Sequence, residues 1–98
     1  MYAIALIRYR KPLEQVVEVT EEHRAYLREL KARGILLASG PLDPRAGGAL
    51  LLRLPDGSDD AALDAIRDGD PFVKRRIAQY ELLRWVPVIG KDELDRLP

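Results

Sequence analysis

From Tyr2 to Tyr9 the chain is apolar on both faces of an extended strand. Tyr2, Ile4 and Leu6 fall on one face, and Ala3, Ala5, Ile7 and Tyr9 on the other. Arg10-Lys11-Pro12 ends it, because proline cannot donate to a ladder. Leu13 to Val19 fits a helical turn or a loop. Thr20 then predicts a helix N-cap, with Glu21 and Glu22 in the first turn, where the dipole favours acids. The helix runs to about Arg33, with Lys31 and Arg33 at its end and Gly34 where a left-handed terminal residue belongs. Ile35 to Leu42 predicts a second strand that Ser39-Gly40-Pro41 ends or kinks. Asp43 to Gly48 is a turn and Ala49 to Leu54 a third strand, so these two strands form a hairpin. Ser58 is expected to cap a second helix, with Asp59 and Asp60 in its first turn, a stripe at Leu63 and Ile66, and an end at Gly69. Asp70-Pro71 reads as N-cap and first position of a short third helix. Gln79 to Val88 is the last strand, and Lys91 to Pro98 is a polar tail, frayed or with one turn of helix.

The order β-α-β-β-α-β is the split βαβ, or ferredoxin-like, order of an α+β fold with an antiparallel sheet. One domain is expected over residues 1–98, with its core at about 2–88 and the tail at 89–98. Two helices cover one face of a four-stranded sheet. Yet the strands are apolar on both faces, with Leu50, Leu52 and Leu54 against Ala49 and Leu51, and Leu83 and Trp85 against Tyr80, Leu82 and Val86. A one-sided antiparallel sheet alternates polar and apolar residues. A second copy, paired through the sheet faces as a homodimer, is the simplest cover for the other side.

Composition narrows the function. Sixteen Lys and Arg balance sixteen Asp and Glu, which disfavours general nucleic-acid binding and docking on anionic membranes. The RNA-recognition order of elements lacks the aromatic residues that stack bases on the central strands. The cluster Lys74, Arg75 and Arg76 reads as a solvated helix face. No cysteine is present, so disulfides, thiolate nucleophiles and Cys-type zinc sites drop out. One histidine and helix-capping acids make a poor metal site, and no cofactor is implied. No apolar run is long enough to span a bilayer and the apolar start lacks signal-peptide features, so a cytoplasmic location is the default. There is no asparagine, and arginine outnumbers lysine three to one. Both a thermophilic source and a GC-rich genome leave such a trace.

The one histidine, His23, shares a helix face with Leu27 and Leu30. It therefore points inward. A place in the first turn and burial both disfavour a charged ring, which suits a general base, whereas a nearby carboxylate would oppose them and orient the ring. A core histidine making one hydrogen bond explains the same position. Asp70 is explained by capping, but a loop aspartate can also reach another element. Ser39 offers a hydroxyl beside a glycine whose backbone can face a ligand, although ordinary turn chemistry accounts for it too. Ser39 lacks the Gly-x-Ser-x-Gly setting of a hydrolase, and Gly47-Gly48 lacks the rest of a phosphate loop.

Taken in order, the helix EEHRAYLREL, its end at Gly34, the Ser39-Gly40-Pro41 kink, the strand opened by Gly48 and the triplet Asp70-Pro71-Phe72 resemble the YCII-related family. The resemblance runs from Tyr2 to about Val86. It implies a dimeric α/β barrel, in which two ferredoxin-like protomers pack sheet to sheet, and a histidine–aspartate pair that would be His23 and Asp70. Some relatives are enzymes on muconate-type ring-cleavage acids, dehydrochlorinases among them, and similar folds carry muconolactone isomerases. The expectation is a lyase or isomerase on a small organic acid. His23 would move a proton and Asp70 would orient it; Ser39, Gly40 and Pro41 would contact the substrate, with backbone N–H groups near Ser39 and Gly40 holding an oxyanion; and Phe72 and Tyr26 would line the pocket. The alternative is a non-catalytic small-ligand-binding or accessory protein on the same dimer.

Overall fold

The computed structural model describes all residues from Met1 to Pro98. Its elements are β1 (Tyr2–Tyr9), α1 (Leu13–Ala32), β2 (Leu36–Pro41), β3 (Gly47–Arg53), α2 (Asp60–Gly69), α3 (Pro71–Lys74), β4 (Ala78–Trp85) and α4 (Lys91–Asp95). The four strands form one antiparallel sheet in the order β2-β3-β1-β4. This is the ferredoxin-like α+β arrangement that the element order predicts.

α1 is longer than expected. It starts at Leu13, so Thr20 is not its cap but a buried mid-helix residue whose hydroxyl donates to the Val16 carbonyl at 2.8 Å. The buried stripe Val16, Val19, Thr20, His23, Leu27 and Leu30 has helical spacing throughout. Pro12 precedes the helix without a side-chain cap. That missing cap and the β-branched Val16, Val17 and Val19 hide the start. His23 consequently lies about three turns from the N-terminus, beyond the reach of the dipole invoked for it above. The α2 cap also shifts. The Asp59 carboxylate accepts from the Ala62 amide at 3.0 Å, while the Ser58 hydroxyl donates to the Pro55 carbonyl.

The ladders explain the strand ends. Tyr2 pairs with Trp85, so β4 has no partner beyond Trp85 and stops short of the predicted Val88. β3 begins at Gly47, earlier than predicted, because Gly47 pairs with Arg8 and Gly48 with Ile7. Between Leu36 and Ala38 the β2 register shifts by a bulge. Leu36 thereby stands opposite Leu52 and Ser39 opposite Leu50. Paired residues share a face, so the bulge turns Ser39 toward the helices, where strict alternation from Leu36 would have turned it away.

The helix side of the sheet, with Ala3, Ala5, Ile7, Leu50 and Leu52, packs against Val16, Val19, Leu27 and Leu30 of α1 and Leu63 and Ile66 of α2. Each buried Val, Leu or Ile among them contributes about 1.5–3 kcal/mol by leaving water. On the other side, α4 covers one end only. The Tyr2 hydroxyl donates to Asp95 at 2.6 Å, and the Arg53 guanidinium to the Leu94 and Leu97 carbonyls. Leu83 and Trp85 remain 40% and 39% exposed there. No helix is long and apolar enough to cross a membrane.

A Cβ on Gly47 would lie 1.8 Å from the Ile7 carbonyl oxygen, a backbone atom held in the β1–β3 ladder. Gly47→Ala should therefore cost about 3 kcal/mol, the upper end for overpacking. Urea unfolding measures it, and an unchanged midpoint would contradict this close approach.

Candidate active site

Asp70 ends α2 and caps α3. Pro71 takes the first helical position, where no amide hydrogen is needed, and Oδ1 accepts from the amide of the second, Phe72, at 2.9 Å, the usual N-cap geometry. The same carboxylate meets His23 of α1, with Nδ1 at 2.9 Å from Oδ1 and 2.8 Å from Oδ2. A third donor, the Tyr80 hydroxyl of β4, gives a short hydrogen bond to Oδ2. Asp70 is 0% exposed. A carboxylate taken wholly out of water costs several kcal/mol unless donors replace its hydration, and three of them surround this one.

Because an ionised carboxylate only accepts, Nδ1 carries the hydrogen, and in the neutral ring the lone pair lies on Nε2. Nε2 has no partner in the chain, while every buried side-chain nitrogen and oxygen has one. It is therefore the part of the ring that opens to the cavity His23 lines. The Phe72 ring lies parallel to the imidazole, with centroids 4.0 Å apart and 7° between planes, and Tyr9 meets Phe72 edge-on at 6.0 Å. Stacking and the bond to Asp70 together fix the ring plane.

The cavity has a volume of about 190 Å³. Ile7, Leu27, Leu50 and Phe72 give it apolar walls, and Thr20, His23, Ser39, Arg24 and Arg45 give it polar ones. Gly40 and Pro41 of the bulged strand complete the side that carries Ser39. A wider hollow of about 710 Å³, near Met1, Trp85 and Asp95, touches neither His23 nor Asp70. No group of three or more His, Cys, Asp or Glu side chains is placed to hold a metal ion.

The structure thus gathers His23, Asp70, Ser39, Gly40, Pro41 and Phe72 around one site. Tyr26 stands apart from the cavity. Its hydroxyl donates to the Ile66 carbonyl at 2.6 Å, and its ring packs where a Cβ on Gly69 would be. It therefore ties α1 to the end of α2, one residue before Asp70. Burial first and the Asp70 charge second raise the Tyr26 pKa above its ordinary value. Sequence reading missed Tyr80, Thr20, Arg24, Arg45 and Tyr9 as site residues. Tyr80 alternates inward with Ala78 and Leu82, but only the register of β4 brings it to Asp70. Its hydroxyl is held far above its ordinary pKa by burial, by the Asp70 charge and by the bond to Asp70, so it remains a donor.

A family model for the YCII-related domain matches residues 1–86. Among solved structures, the chain is similar to a 5-chloro-2-hydroxyhydroquinone dehydrochlorinase from Burkholderia phenoliruptrix AC1100 in complex with 2,5-dihydroxybenzoquinone. The likeness has a TM-score of 0.73 at 24% identity and covers 90% of this chain and 96% of that one. A comparison with curated proteins finds no match.

Tyr80→Phe removes one donor from a buried carboxylate and should cost about 1.5–3 kcal/mol of stability. Tyr80 has a raised pKa in the folded state, so its contribution is complete below the ordinary value of 10.0 and fades as pH rises past it. Denaturant unfolding measured from pH 8 to 11 should show a shallower alkaline decline in the variant than in the parent chain. Identical slopes would remove Tyr80 from the Asp70 network.

Proposed function

The chain belongs to the YCII-related family, and from the geometry of its cavity we propose that it is a small-molecule enzyme that moves a proton with the His23–Asp70 pair. The observation that carries this is the asymmetry of the imidazole. Nδ1 is held by a fully buried carboxylate that is itself anchored twice more, while Nε2 faces a cavity large enough for a small ring or acid. Nε2 would take a proton from a carbon next to an electron-withdrawing oxygen. The resulting imidazolium would be stabilised by Asp70. Negative charge gathering on the substrate oxygen would face Ser39, Gly40 and the arginines of the cavity. Return of the proton at another carbon gives an isomerisation, and departure of a leaving group with its electron pair gives an elimination. The similar dehydrochlorinase, with its dihydroxybenzoquinone, supports a small oxygenated organic acid as the ligand class and a lyase or isomerase as the reaction type.

The working unit in this reading is a homodimer. The sheet face turned away from α1 carries Ile4, Leu6, Leu51, Leu83 and Trp85, and α4 shields only its Tyr2 end. A second copy of the same sheet would bury that face symmetrically.

His23 is the sole imidazole, so its ring protons report the site directly by NMR. Addition of 2,5-dihydroxybenzoquinone should move them, and His23→Ala should lose about 10²–10⁴-fold of whatever turnover the parent chain shows. A ring that ignores every small acid offered would leave the accessory or binding reading in place of an enzyme. Leu83→Glu should shift the sedimentation of the chain from dimer toward monomer, whereas a parent chain that sediments as a monomer would end the dimer proposal.

A further inference from the structure

The cavity does not close beyond His23. It shares Arg24, Leu27 and Ser39 with a second hollow of about 320 Å³ that runs between α1 and the outer edge of β2. One wall of this trough is Arg24, Arg28 and Lys31, and the other is Leu36, Leu37 and Ala38. No acidic side chain lines it. The three cations follow at i, i+4 and i+7, so they stand above one another on a single exposed stripe of α1. Five cations elsewhere, Arg8, Arg67, Arg75, Arg84 and Lys91, do pair with nearby carboxylates. Here Arg24 has only Glu21 at 3.5 Å, with both side chains more than half exposed, and Arg28 and Lys31 take part in no ion pair. Like charges at this spacing weaken a helix. A chain of zero net charge has therefore left three of them together along a channel that leads to its one histidine.

We propose that the ligand of this site is a two-part anion, with a small head in the cavity against His23 and a negatively charged tail along the Arg24–Arg28–Lys31 trough. Placing the head rests on the reading of His23 given above. The tail follows from the trough alone. Arg24 and Lys31 are seven residues apart, which is about 10 Å along a helix. A tail charge that far from the head group would meet Lys31, and shorter anions would reach only Arg24. The attraction is between exposed groups, so salt should weaken it.

A series of ω-phosphonocarboxylates of increasing chain length tests this by calorimetry, with the His23 ring followed by NMR. Affinity should rise by about tenfold as the separation of the two charges approaches 10 Å. The double variant Arg28→Glu/Lys31→Glu should lose that rise while binding the shortest member as before. Arg96→Glu, on the far side of the sheet, should keep it. Affinity that does not depend on length, or a rise that persists in the double variant, would overturn the trough. If the shortest member still moves the His23 ring in that case, the cavity reading survives the failure. A length dependence lost in the double variant, with a His23 ring that never responds, would support the trough and remove the proton-transfer role.

Discussion

A carboxylate with no exposure to water constrains the rest of this molecule. Asp70 must be supplied with hydrogen-bond donors, and the fold draws them from three elements: the imidazole of α1, 47 residues away, the amide near the start of α3 and the hydroxyl of β4. Each donor fixes something else as it arrives. The Phe72 amide sets the start of α3, and so places the Phe72 ring under the imidazole. The Tyr80 hydroxyl locks the register of β4 to the helix layer. The His23 bond leaves one ring nitrogen committed and the other open. An apolar residue at position 70 could fill the space, but it would leave these donors buried and unpaired.

The sheet supplies the opposite wall of the cavity through two local departures from ideal pairing. The bulge in β2 turns Ser39 toward the helices, opposite Leu50, and Gly47 at the start of β3 brings its backbone against β1 more closely than any side chain allows. Arg45 enters the cavity from the turn between these strands, and its Nε donates to the Tyr9 hydroxyl at 3.3 Å. The packed face of the sheet thus ends in a hollow rather than in a filled core. The opposite face has no comparable cover beyond α4, and this asymmetry is the physical basis for proposing a second copy there.

Much of this was legible from residue types and spacing. The two-faced strands, the inward side of α1 through His23, Leu27 and Leu30, the Gly34 terminus with φ of 77°, and the Asp70-Pro71 helix start all follow from rules that act within a few residues. Where reading failed, a competing local signal had the better claim. Thr20 followed by two glutamates looks like a helix start, yet the buried stripe extends back to Val16 and makes Thr20 an interior residue. Ser58 and Asp59 are both good caps, and only the amide geometry chose Asp59. Tyr26 is expected to line the pocket, but its hydroxyl is held by the Ile66 carbonyl and its ring by the close approach of Gly69, contacts that only the docking of α2 on α1 creates.

By itself the sequence determined the elements, their order, the ferredoxin-like class and the two residues on which attention falls. Periodicity, capping and turn chemistry are local, and a single chain displays them directly. The tertiary structure alone decided that His23 and Asp70, 47 residues apart, are hydrogen-bond partners, that Tyr80 completes their network, that a bulge re-aims Ser39, and that Arg24, Arg28 and Lys31 border a trough that shares Arg24, Leu27 and Ser39 with the cavity. Those are matters of register and packing. They depend on how strands slide and how helices dock, and so on the summed burial of many side chains rather than on any motif a stretch of sequence could carry.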